Sequence, residues 1–333
     1  MISNKKSTIR LIILIAVLVL VLTLSAEAAS PVNIKFSTLD VGSGYYSYGG
    51  IFAELMRKEL PAGSVVDILP YGGTIGSLDL VADGRAQLGL TSPFVLQWAR
   101  DGKFAFEGKQ HGNLRVLVTG LDSYFFAAVA RKDAPFDSLK DIKDKKLKVS
   151  VATQERRTLG DYGGGLLLDA YGLSYDEIIK LGGQVTHTSS EVIGDNMRDG
   201  RIDVDLEFFN LGHPMITEIA TLTPIKFLPV EPEIVKALQE KYGFEPVLLP
   251  ANSFPGQNED VQLVGGPTAI FCRDDMTDDV AYALTKAIVD NFEYLQKSLG
   301  AFANFTPEKA PKFSGGIEFH PGAIKYYKEK GLM

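Results

Sequence analysis

From Val32 onward, short apolar runs alternate with amphipathic stretches, a pattern that predicts an α/β protein with largely parallel sheets. Strands are expected at Asn33 to Ser37, Ser64 to Leu69, Gln87 to Thr91, Leu114 to Thr119 and Tyr124 to Arg131, in runs that are mostly apolar, β-branched or aromatic. The first three end in small or hydroxyl residues before a helix. Between Gly49 and Leu60, helical spacing puts Ile51, Phe52, Leu55 and Met56 on one side and Glu54, Arg57 and Lys58 on the other. After Arg131, the segment from Lys132 to Leu139 reads as a crossover into a second series. Its strands are expected at Lys146 to Ala152, Val185 to Thr188, Ile202 to Phe208 and Ile225 to Val230. A final apolar strand, Val261 to Cys272, leads back. A long helix from Met276 to Ser298 follows, with Thr277 as N-cap, Asp278 and Asp279 in the first turn, and Val280, Leu284, Ala287 and Ile288 as its buried stripe.

This pattern divides the chain into two lobes, residues 32–125 with 262–333 and residues 126–261. Two extended connections join them, and a few strand-end residues there can absorb a hinge motion. The N-terminus reads differently. Lys5, Lys6 and Arg10 precede an apolar run from Leu11 to Leu24, and Ala26-Glu27-Ala28 supplies small residues around a cleavable bond. The run of 14 residues is short of the roughly 20 that span hydrocarbon, so residues 1–28 read as a signal peptide, with an uncleaved anchor as the alternative. Either way the chain is exported, to a periplasmic or extracytoplasmic location.

Charge and composition narrow the function. The formal charge of −7 becomes −9 once residues 1–28, with three bases and one acid, are removed. No basic surplus exists for phosphates, which argues against nucleic acid as a partner. Cys272 is the single cysteine, and His111, His187, His213 and His320 lack metal-ligand spacing, so neither a disulfide nor a metal site is expected. No serine sits in a Gly-x-Ser-x-Gly elbow, and a thiol in an apolar strand is usually inert, so catalysis and a cofactor are not expected.

The candidate chemistry lies in turns. Gly42, Ser43, Gly44, Tyr45 and Tyr46 follow the first strand, Gly72, Gly73 and Thr74 the second, and Thr91 with Ser92 the third. Glycines let backbone approach a ligand, and helix N-termini offer N–H groups to an anion. Ligands of open α/β sheets sit outside the carboxyl ends of strands, so these turns are expected to line one rim. In the second lobe, Phe208 could cover the apolar part of a ligand and Asn210 offers both donor and acceptor. Asp203, Asp205 and Glu207 alternate along one strand, but calcium-loop spacing is missing.

Gly42-x-Gly44-Tyr45-Tyr46-x-x-Gly49-Gly50, Gly72-Gly73-Thr74, Asp83-Gly84-Arg85-Ala86-Gln87-Leu88-Gly89 and Asp199-Gly200-Arg201-Ile202-Asp203 resemble the TAXI solute receptors of TRAP transporters. So do Phe254-Pro255-Gly256-Gln257 and the C-terminal run from His320 to Tyr327, in an order that extends from about Asn33 to Met333. The resemblance implies a two-lobed type II periplasmic-binding-protein fold that delivers a small solute, often glutamate or another carboxylate, to TRAP permease subunits in the membrane. Two stretches depart from the family pattern. Thr153-Gln154-Glu155-Arg156-Arg157-Thr158 replaces a Gly/Ser-rich turn, and Leu39-Asp40-Val41 replaces small residues. Arg156 or Arg157 could clamp a carboxylate, and Asp40 could meet an ammonium, so an anionic or zwitterionic solute is expected. An exported sensor that binds solute without transporting it is the alternative.

Overall fold

Apolar side chains at Ile34, Phe36, Val66, Leu88, Leu90, Val116 and Val118 are all buried, and they commit the first four expected strands to one sheet. The computed structural model describes residues 30–41, 43–156 and 158–333; the expected signal peptide, Gly42 and Arg157 lie outside the described residues. In chain order the elements are β1 (Asn33–Ser37), α1 (Gly44–Glu59), β2 (Val65–Leu69), α2 (Gly73–Ala82), β3 (Leu88–Thr91), α3 (Pro93–Asp101) and β4 (Leu114–Val118). The chain then crosses to β5 (Tyr124–Arg131), α4 (Leu139–Asp144), β6 (Ser150–Thr153), α5 (Leu159–Ala170), α6 (Tyr175–Lys180) and β7 (Gln184–His187). Next come α7 (Ser190–Arg198), β8 (Val204–Asn210), α8 (Pro214–Leu222), β9 (Ile225–Leu228), α9 (Pro232–Tyr242), β10 (Glu245–Leu249) and β11 (Val261–Gly266). It returns through β12 (Ala269–Arg273) to α10 (Asp278–Val289), α11 (Phe292–Ser298) and α12 (Pro321–Glu329).

The first sheet has the order β2-β1-β3-β12-β4, and the second runs β10-β11-β5-β8-β6-β7 with β9 beside β5. Parallel pairing is confined to β2-β1-β3 and β7-β6-β8. β12 is antiparallel to β3 and β4, and β5 and β11 are antiparallel to their partners. The expectation of largely parallel sheets therefore fails for two of the four pairings in the first sheet and four of the six in the second. The strands flanking the crossings are among the antiparallel ones: the chain leaves the first sheet along β4 and re-enters it along β12, and it enters the second along β5 and leaves it along β11.

Other boundaries shift for local reasons. α1 starts at Gly44, five residues before the expected Gly49, because Ser43 Oγ accepts from Tyr46 N at 3.1 Å and caps the turn. Gly49 is inside that helix, where a Cβ would lie 2.5 Å from Thr38 Cγ2; the glycine permits close packing of α1 on the end of β1. The single strand expected from Val261 to Cys272 breaks at Pro267 and Thr268, which carry the chain between the sheets. The helix expected from Met276 to Ser298 breaks after Val289, and Asn291 Nδ2 donates to Ala287 O at 2.8 Å in competition with the backbone. β6 starts at Ser150 because Lys146 adopts φ +50°. α12 packs on the first sheet, with Tyr327 Oη donating to Leu117 O at 2.7 Å.

Two features tie the lobes together. At the crossings, Asp122 Oδ1 accepts from Thr268 N at 2.7 Å, and Oδ2 accepts from Tyr48 Oη at 2.6 Å and Thr268 Oγ1 at 3.0 Å. Tyr48 Oη in turn accepts from Asn210 Nδ2 of β8 at 2.7 Å, a bond between the lobes. Elsewhere an aromatic seam joins them. Trp98 Nε1 of α3 donates to Tyr242 O at 2.7 Å, Phe94 lies 4.7 Å from Phe244, and Phe104 lies 5.0 Å from Tyr242 between ring centroids.

Candidate functional site

Between the lobes is a cleft with three communicating compartments. The largest, about 580 Å³, is bounded on one side by Leu39, Asp40, Tyr71 and Gly72 and on the other by Gln154, Arg156, Thr158 and Ser189. Leu39, Gln154 and Thr158 also line a deep compartment of about 20 Å³, closed off by Gly44, Tyr45, Thr74, Tyr124, Phe208 and His213. That volume admits a single water-sized group. The third, about 330 Å³, shares Asp40 and Ser189 with the first and His213 with the second.

The deep compartment is surrounded by helix beginnings. Gly44 and Tyr45 open α1, Thr74 is in the first turn of α2, Thr158 and Leu159 open α5, and His213 precedes α8. First-turn N–H groups have no intrahelical acceptor, and each N-terminus carries a partial positive charge. Ser43 and Thr158 each cap one N–H, of Tyr46 and Asp161 respectively. Those of Gly44, Tyr45, Thr74 and Leu159 have no partner among the described residues. The arrangement suits an anionic group.

Glycine is required where the two lobes meet. A Cβ on Gly44 would lie 2.7 Å from Tyr124 Oη and 3.2 Å from the Asn210 amide. Gly72 has φ +111°, and a Cβ there would lie 2.5 Å from Ser37 Oγ. In the deep wall, Phe208 stacks on Tyr124 with centroids 4.7 Å apart, which gives the compartment a flat apolar side.

The remaining expected site residues divide. Ser43 and Arg156 line outer compartments, and Arg156 forms no ion pair with the described residues. Tyr46 faces none of the three compartments, one position further round α1 than Tyr45. The N–H of Gly73 is taken by Thr38 O at 2.7 Å. Ser92 is fully buried at the start of α3, and Thr153 is fully buried with Oγ1 donating to Leu206 O at 3.3 Å, so neither lines the cleft. Asn210 spends its amide N–H on Tyr48. The third turn, Thr91 with Ser92, therefore lies beneath the rim.

Sequence reasoning gave no site role to Gln154, Tyr124 or His213. Gln154 follows β6 directly and fills the space a Cβ on Gly160 would take. Its place at a strand end was a usable signal; Tyr124 and His213 had none, because their neighbours across the cleft come from distant sequence.

Electrostatics separates the structural acids from the site. Burial pushes the Asp122 carboxyl up to about 6, against the hydrogen bonds from Tyr48 and Thr268. Asp205 and Glu207 are buried side by side on β8 and are both held well above the usual carboxylate range by desolvation. Both Asp205 oxygens and Glu207 Oε2 lack hydrogen-bond partners among the described residues. Burial pushes His213 down to about 4 and leaves its imidazole neutral. Cys272 is buried in β12, where desolvation raises its thiol.

Among solved structures, the chain is similar to MatC from Rhodopseudomonas palustris with bound malate, at 14% identity and a TM-score of 0.53, covering 90% of this chain and 98% of that one. It is similar to the periplasmic binding protein BugD at 17% identity and a TM-score of 0.52, covering 91% and 93%. These likenesses show the fold, the two-lobed α/β fold of periplasmic binding proteins. The model of the NMT1-like family matches residues 36–331, and the chain belongs to that family.

Proposed function

We propose that this chain is an extracytoplasmic receptor that captures a small carboxylate solute, a glutamate-like amino acid or a dicarboxylate, and delivers it to a TRAP-type permease. The observation that carries the reading is the convergence of helix N-termini from both lobes on one compartment, at Gly44, Thr74, Leu159 and His213. A carboxylate oxygen there meets unpaired N–H groups from α1, α2 and α5. Each terminus contributes about 0.3 to 2 kcal/mol. Micromolar affinity needs about −8 kcal/mol, so several must act together with burial against Phe208 and Tyr124. Arg156, at the rim, supports the same sign of charge. Because the donors belong to both lobes, the solute binds the closed form best and draws the lobes together.

The TRAP partner rests on the motif resemblance from Gly42 to Tyr327, and export on residues 1–28. MatC, similar in fold, holds malate, which puts dicarboxylates in the panel to be tested. The test is calorimetric titration of the exported protein, stripped of co-purified ligand, with amino acids, keto acids and dicarboxylates. Saturable binding of a carboxylate, lost when the carboxylate is amidated, is the expected result. Heat from none of these classes would overturn the reading.

A further inference from the structure

The fold does not account for Gly76. It stands inside α2, its φ is not left-handed, and beyond its own stretch of helix a Cβ there would meet nothing within 4 Å among the described residues. A glycine in a helix interior destabilises the helix relative to alanine. Gly44 and Gly72 relieve close approaches, whereas Gly76 leaves a gap, and the gap opens on the compartment of about 580 Å³.

That compartment has an aromatic inner wall built from both lobes. Phe104 comes from the first lobe and Tyr162, on α5, from the second. Both rest on one indole, with ring centroids 5.3 Å from Trp98 to Phe104 and 5.9 Å from Trp98 to Tyr162. Trp98 is itself bonded across the lobes to Tyr242 O. The shared indole sets the separation of the two walls, so closure at the Asp40 edge leaves this part of the cleft open. Its volume is in the range of about 300 to 1,000 Å³ that encloses a whole small molecule. Phe104 holds its ring on the wall with φ +55°, a backbone that a bulky residue adopts at a cost.

Charge is kept off this wall. Asp40, Glu155 and Arg156 are exposed, and Asp79 is held by Lys109 Nζ and His111 Nε2, each at 2.9 Å. The route from the deep compartment is short. Thr74 and Thr158 line that compartment at the starts of α2 and α5, and Gly76 and Tyr162 follow on the same helices within about one turn, about 5.4 Å.

We propose that the compartment over Gly76 receives an aromatic ring, so that the solute is an aromatic carboxylate. Its carboxylate lies among the helix N-termini and its ring against Phe104 and Tyr162. Aromatic walls favour a ring over an alkyl chain, because face and edge contacts add to the burial of apolar surface. A solute the size of malate leaves most of the compartment to water. The inference rests on the carboxylate reading and narrows it, ranking an aromatic amino acid or a benzene dicarboxylate above glutamate and malate.

The test is calorimetry on the exported protein, stripped of co-purified ligand. L-Phenylalanine and benzene-1,4-dicarboxylate are compared with L-leucine, L-glutamate and malate in the wild type, in Gly76→Leu and in Tyr162→Ala. Leucine is a better helix former than glycine and its side chain fills the gap, so Gly76→Leu blocks the compartment without straining α2. Expected is a ring-bearing acid bound about tenfold or more tighter than the three ring-free acids. Gly76→Leu should remove that preference while changing the affinity of the ring-free acids by less than about twofold, and Tyr162→Ala should reduce it. A ring-free acid bound as tightly as both ring-bearing acids would overturn the aromatic assignment and leave the carboxylate reading standing. A preference that survives Gly76→Leu, or an equal loss for all five acids, would do the same. Binding of none of the five would refute the inference, and silence from the wider carboxylate panel would remove the reading beneath it. Should Gly76→Leu fail to fold, the wild-type preference and the Tyr162→Ala result still decide.

Discussion

Replacing Asp122 by Ala tests whether the crossings are held by a strained carboxylate. Three donors point at this side chain, Thr268 N, Thr268 Oγ1 and Tyr48 Oη. Leaving them unpaired costs about 1 to 3 kcal/mol each, roughly 2 to 6 in all if one of the three is rescued by water. The wild-type residue has a cost of its own. Its folded-state value of about 6 against an ordinary 3.8 means that the folded chain binds a proton more tightly than the unfolded chain. Stability from this group is therefore greatest below the unfolded value and is lost as pH rises through about 6, by about 3 kcal/mol in total. Between pH 7 and pH 4.5 the wild type recovers about 2 kcal/mol that the Ala variant cannot. Urea unfolding, followed by far-ultraviolet dichroism and by the fluorescence of the sole tryptophan, Trp98, measures both proteins at the two pH values. The variant should be the less stable at pH 4.5, with a smaller deficit at pH 7. A deficit that is equal at both values, or larger at pH 7, refutes the argument.

Gly44→Ala puts a methyl group against Tyr124 Oη and should weaken solute binding by tenfold or more; unchanged calorimetry would show that the lobes do not meet there. Arg156→Ala should weaken an anionic solute by about tenfold if the guanidinium clamps it, and by less than twofold if Arg156 only lies on the rim. Glu207→Gln should raise the melting temperature at pH 8, because the wild-type carboxyl must bear desolvation there, and the gain should shrink toward pH 4 as the unfolded chain also becomes protonated. A Gln variant less stable at pH 8 would point to a cationic partner for Glu207.

Strands were legible because each is a short run buried on one or both faces and closed by a small residue; β1, β4 and β5 fall within a residue or so of their expected ends. The glycines were misread. Gly44 suggested a loop and Gly49 the start of the helix, whereas both sit inside α1 at points where another lobe or strand comes too near for a Cβ. Composition records that glycine is needed and not why. Pro267 was hidden in a continuous apolar run because the segments on both sides of it are buried. In the site, local signals found the N-termini at Gly44, Thr74 and Thr158. They also drew in Ser92 and Thr153, hydroxyls of the same kind that face the interior, because the facing of a strand-end hydroxyl is set by the other lobe. His213 carried no signal until its neighbours from Asp40 and Tyr45 were placed beside it.

The aromatic seam decides which edge of the molecule gives way. Separating α3 from α9 would break the Trp98 to Tyr242 bond and several ring contacts worth about 0.5 to 1.5 kcal/mol each. At the Asp40 turn, by contrast, Ser189 and Ser190 stand across the cleft with no hydrogen bond to residues 39–43 among the described residues. In the receptor proposed above, the doorway for a solute would lie past Asp40, with the two halves parting at that edge while the seam stays shut.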